Sequence, residues 1–119
     1  MQKRIEFFRD LQLRKPPTDA PAKIVRQVES PRMAMRTTLK AQGLKLLGVS
    51  RVLNISEGYL SKIVNEREPM PEWFPMAFSY ATGSNLLRQY LALAEAMTDA
   101  QDSQAWLERK LVNDLRSAA

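Results

Sequence analysis

Between Ser56 and Arg67 the chain reads SEGYLSKIVNER. At about 100° per residue, Gly58, Ser61, Lys62 and Asn65 fall on the side of a helix opposite Leu60 and Val64, with Glu57 and Tyr59 at the flanks. The chemistry offered by that outer face is recognition, not bond making. A lysine donates to a guanine edge or a phosphate, and a serine both donates and accepts. An ionised glutamate only accepts, so phosphate repels it unless it takes a cytosine amino group. Gly58 costs about 1 kcal/mol of helix propensity relative to alanine. A glycine on an exposed helix face implies that something approaches closely, as the DNA major groove would.

Other chemistries find little support. The 119 residues include no cysteine and no histidine. That excludes disulfides, thiolate metal sites, imidazole catalysis and the commonest transition-metal sites. No glycine-rich phosphate loop, metal-ligand spacing or nucleophile motif is present. Asp99 and Asp102 suit a helix start, and Glu108 and Asp114 suit a solvated surface. The chain is therefore not expected to be an enzyme, and no cofactor is expected. No apolar run approaches the ~20 residues of a membrane span. Charges inside the apolar part of MQKRIEFFRD argue against a secretory signal. These features suit a cytoplasmic protein.

The elements that would position the outer face are helical nearly throughout. QKRIEFFRDLQL reads as a first helix, broken by Pro16 and Pro17. PAKIVRQVE is a second, with Asp19 as N-cap. Ser30 followed by Pro31 opens a third that stops near Gly43. LKLLGVSRVL precedes the break Asn54-Ile55-Ser56. There Asn54 tolerates the left-handed conformation of a tight turn, Ile55 plugs the core and Ser56 caps the next helix. Leu60, Ile63 and Val64 form its buried stripe. EWFPMAFSYATG follows, with Pro75 early enough to be tolerated and Gly83 as its stop. Trp73, Phe74, Phe78 and Tyr80 read as core. Ser84 caps NLLRQYLALAEAM, and Thr98 with Gln101 form a capping box for one more helix.

The segment VSRVLNISEGYLSKIVNEREPMP resembles the helix-turn-helix of the lambda-repressor-like (XRE/Cro-type) family of DNA-binding regulators, many of them from temperate phages. Ser50, Asn54, Ile55, Ser56, Leu60, Ser61, Ile63, Asn65 and Pro69 follow that family's pattern in order. The likeness spans about 23 residues strongly, and residues 31–97 more loosely as the family's five-helix bundle. The first and last ~20 residues lie outside it. Asn54 replaces the commoner glycine, and Glu66 stands where the family often has glycine, which alters how the loop meets the backbone. The resemblance implies that Ser56, Glu57, Gly58, Tyr59, Ser61 and Lys62 lie at base edges or nearby phosphates, and that Asn65 and Arg67 meet the phosphate backbone. An ordinary helical hairpin also has capped turns. The small Ser50, the Asn-Ile-Ser turn and the uncrowded outer face favour the helix-turn-helix.

Charge agrees in sign. Residues 1–69 carry 14 Lys/Arg against 7 Asp/Glu, and residues 70–119 carry 4 against 6. A basic front suits a polyanion. Arg14 and Lys15 read as a solvated linker in preference to a minor-groove arm. Toward the C-terminus, Leu86, Tyr90, Leu93 and Met97 form one stripe, and Leu87, Leu91 and Ala94 another. Trp106, Leu107, Leu111 and Leu115 form a further stripe. Leu86, Tyr90, Leu93, Met97, Trp106 and Leu111 are read as a self-association surface, against the alternative that they fold back on the core.

The expectation is an all-α fold, a compact helix-turn-helix bundle of about five helices with extra N- and C-terminal helices. Its parts are an N-terminal helix and Pro-rich linker (1–19), a DNA-binding core (20–83) and C-terminal oligomerisation helices (84–119). The function expected is a double-stranded-DNA-binding transcriptional regulator, a homo-oligomer, with RNA polymerase as a further partner. The competing reading is a helical protein-interaction module of a phage or mobile element that binds a host protein.

Overall fold

Serine caps start three of the helices, and left-handed residues stop four. The computed structural model describes residues 14–118. Within them lie α1 (Ala22–Gln27), α2 (Pro31–Ala41), α3 (Leu46–Leu53), α4 (Glu57–Val64), α5 (Phe74–Thr82) and α6 (Leu86–Ala118), with no strand among the described residues. The protein is all-α. The helix expected over residues 2–13 lies outside the described residues.

Each serine hydroxyl satisfies an amide that the first helical turn leaves free. Ser30 accepts from the Met33 amide at 3.1 Å, with Pro31 in the first turn. Ser56 accepts from Tyr59 at 3.1 Å, and Ser84 from Leu86 at 3.3 Å. Four residues have positive φ among those described: Gly43, Asn54, Glu66 and Gly83. Each ends a helix. At three of them the chain closes with paired bonds that satisfy the last carbonyls. Leu44 and Gly43 amides donate to Leu39 and Lys40; Ile55 and Asn54 donate to Ser50 and Arg51; Arg67 and Glu66 donate to Lys62 and Ile63. Gly83 closes α5 with one bond to Ser79 at 2.8 Å.

The core forms where these helices meet. α3 packs on α4 and α5, α2 packs on α4 and α6, and α1 and α5 also pack on α6. Met35, Leu53, Leu60, Ile63, Phe74, Phe78 and Leu87 are all buried. Burying each such side chain contributes about 1.5–3 kcal/mol. Phe74 and Phe78 stack at 5.4 Å, and Trp73 and Tyr80 pack against the core from its edge.

Two local expectations are corrected. Asp19 does not cap α1, whose N-cap is Pro21 with no side-chain bond. Asp19 instead accepts from Asn85 Nδ2 at 2.8 Å. Its neighbours do the same: the Thr18 amide donates to Gly83, the Asn85 amide donates to Thr18, and Gln89 exchanges two bonds with Ala20. Thus Pro17–Ala20 is sewn to the start of α6. Second, no break occurs at Thr98. Its hydroxyl donates to the Ala94 carbonyl at 3.0 Å, and the two expected C-terminal helices are one. Thr98 and Gln101 therefore form no capping box. At 33 residues, α6 is about 50 Å long. Only its first turns are covered, and every residue from 95 to 118 is exposed.

Candidate nucleic-acid interface

The α3–turn–α4 unit is built by five adjacent choices. Ser50 is 2 % exposed, small enough for the crossing helix, and its hydroxyl donates to the Leu47 carbonyl at 2.7 Å. Asn54 has φ 56° and ψ 42°, in the left-handed region that asparagine tolerates better than other non-glycine residues. Ile55 packs against the core, and Ser56 caps α4. Glu57 then sits in the first turn, where the helix dipole favours a carboxylate. Leu60, Ile63 and Val64 are buried beneath.

The remaining residues define the outer face. Ser56, Glu57, Gly58, Lys62 and Arg67 are exposed. A Cβ built on Gly58 meets nothing within 4 Å, so no contact inside the chain requires glycine there. Tyr59 is half-buried and packs against the core, which makes it partly structural. Ser61 and Asn65 are half-buried and engaged with each other. Asn65 Nδ2 donates to the Ser61 carbonyl at 2.9 Å and to its hydroxyl at 3.3 Å. The amide nitrogen of Asn65 is thus turned into the end of α4. The freest groups are Lys62, Glu57 and Arg67.

Glu66 takes φ 60°, the conformation for which glycine is favoured. Its carboxylate accepts from the Arg32 amide at 3.2 Å, at the N-terminal turn of α2. That bond and the dipole of α2 offset the cost of the left-handed backbone. It also pins the end of α4 to the start of α2.

This pinning introduces residues the sequence reading missed. Arg32, Arg36 and Lys40 lie at i, i+4 and i+8 on the exposed side of α2, and with Ser30, Met33 and Thr37 they line a shallow groove. Arg67 lies beside Pro31 in the adjoining hollow with Met35 and Ile63. Lys62, Arg67, Arg32, Arg36 and Lys40 thus follow one another over α4 and α2. The spacing of the three α2 cations was visible in the sequence. Their adjacency to α4 depends on Glu66 and was not. Arg14 and Lys15 are elsewhere, lining a groove with Gln42 and Tyr80–Gly83.

The self-association residues divide. Leu86 is 4 % exposed and belongs to the core, so it is not available to a second chain while the fold is intact. Leu93 packs against the core, and Tyr90 also donates its hydroxyl to the Glu29 carbonyl at 3.1 Å. Met97, Trp106 and Leu111 are exposed. Trp106, however, lies about 150° around α6 from the stripe that holds Met97 and Leu111. Lys110 Nζ stands 5.6 Å from its ring centroid.

Among the described residues no group of three or more His, Cys, Asp or Glu side chains is placed to hold a metal ion, and no helix is long and apolar enough to cross a membrane. No protein-family model, curated protein or solved structure matches this chain.

Proposed function

We propose that this chain is a sequence-specific, double-stranded-DNA-binding transcriptional regulator of the lambda-repressor-like helix-turn-helix type, with α4 as the recognition helix in the major groove. The observation that carries the reading is the left-handed Asn54 turn, which leads into a capped helix whose outer face is bare. Lys62 and Glu57 are the base-reading candidates. Arg67, Arg32, Arg36 and Lys40 neutralise flanking phosphates, which gives binding a steep salt dependence. Ser56, Gly58, Tyr59, Ser61 and Asn65 shape the surface between them. The protein acts in the cytoplasm without a cofactor and without catalysis. It regulates by occupancy or by touching RNA polymerase. Two copies read half-sites about one helical turn apart.

The second reading, an interaction module for a host protein, draws on the exposed apolar residues of α6. Selection of bound duplexes from a random pool separates the two, run with wild type and Lys62→Glu at moderate salt. A motif recovered by wild type and lost by the variant is the expected result. A folded protein that enriches nothing, or binds weakly and equally with Lys62→Glu, favours the second reading.

A further inference from the structure

From residue 95 onward α6 leaves the domain as a helical arm, about 36 Å long. One side of it is apolar. Met97, Ala100, Gln104, Leu107 and Leu111 follow at alternating steps of three and four, and Leu115 extends the line one turn further. This is the seam spacing of a two-helix coil. Met97 is 55 % exposed, Leu107 48 %, Leu111 53 % and Leu115 73 %, so nothing in the same chain covers the seam.

The opposite side carries charge sorted along the axis. Residues 95–108 hold Glu95, Asp99, Asp102 and Glu108 with no base. Residues 109–118 hold Arg109, Lys110 and Arg116 against Asp114. A parallel pair would place acid beside acid and base beside base. An antiparallel pair places each acidic root beside a basic tip.

We infer that the arm pairs with the arm of a second copy of this chain, antiparallel, about a centre near Ala105–Trp106. The packing follows from that register. Ala100 faces Leu111 of the second copy, small against large. Gln104 faces Leu107, and Met97 meets the turn that holds Leu115. Glu95 comes level with Arg116 of the second copy, and Asp102 with Arg109. Each tip stops at the edge of the other copy's domain, near Leu93, where the seam of α6 is already covered by the core. Trp106 and Lys110 remain outside the seam. This deepens the self-association within the proposed function, and its test contains no DNA, so its failure leaves the DNA reading standing.

The test combines mass with a distance. The chain has no cysteine, so Ser117→Cys takes a single nitroxide label. Light scattering at tens of micromolar should give the mass of a dimer, and Leu107→Glu with Leu111→Glu should give a monomer. The melting of the domain should persist in that double variant, because neither side chain touches the core. The antiparallel register places the two labels about 35 Å apart along the axis, whereas parallel arms bring them within ~20 Å. A monomeric wild type, a double variant that stays dimeric, or a short label distance would each overturn the inference.

Discussion

The two halves of α6 have the same apolar rhythm and opposite surroundings. In the first, Leu86 and Leu87 are buried, and Tyr90, Leu91 and Leu93 press on the core from its edge. In the second, Met97, Leu107, Leu111 and Leu115 stand in solvent. The apolar stripes at the start of the helix were read as too broad for one domain face. The domain uses both: Leu86 and Leu93 on one, Leu87 and Leu91 on the other, closing against α1, α2 and α5. A helix's spacing thus says that something covers it, not whether the cover is the same chain.

The largest expected effect breaks or confirms that contrast directly. Leu87→Ala should lower the unfolding free energy by about 3 kcal/mol, because it removes buried methyl groups and leaves a cavity. Leu111→Ala should change it by less than ~0.5 kcal/mol when unfolding by urea is followed at concentrations too dilute for pairing. Equal losses would mean that the arm folds back on the domain.

Legibility in the sequence divides along a related line, between chemistry confined to one turn and chemistry that needs a distant partner. Ser30-Pro31, Ser56, Gly43, Asn54 and Gly83 were readable, because a cap or a positive φ is settled within a few residues. Asp19 was misread as a cap because its partner, Asn85, is 66 residues away. Glu66 was seen as a departure, but the bond to the Arg32 amide that sustains its backbone spans 34 residues. The false break at Thr98 has another cause. Thr98 and Gln101 have capping chemistry, but nothing there forces φ out of the helical region, so the threonine bonds back to Ala94 and α6 continues. Of the candidate interface, the outer face of α4 was legible from periodicity. The basic line on α2 joined it only once the fold had formed.

The turn gives a middle-sized effect that tests the local half of this distinction. Asn54→Val places a β-branched residue at φ 56° and should cost about 1–2 kcal/mol. Asn54→Gly should be neutral or slightly stabilising, since glycine carries no Cβ penalty there. An unchanged melting temperature for the valine variant would mean that the turn does not need its left-handed residue.

The smallest effect concerns a surface that is bare in the free protein and, on the proposed reading, covered by DNA. Gly58 lies in α4 with open space where a Cβ would go. Gly58→Ala should therefore stabilise the free protein by about 0.5–1 kcal/mol through helix propensity alone. If the groove wall comes close at that position, the same methyl should weaken binding to the selected duplex, and stability and affinity should move in opposite directions. Thermal melting and a binding titration on one preparation give both signs. A variant that is more stable and binds equally well would show that nothing approaches Gly58, and would shift the recognition contacts toward Lys62 and the C-terminal end of α4.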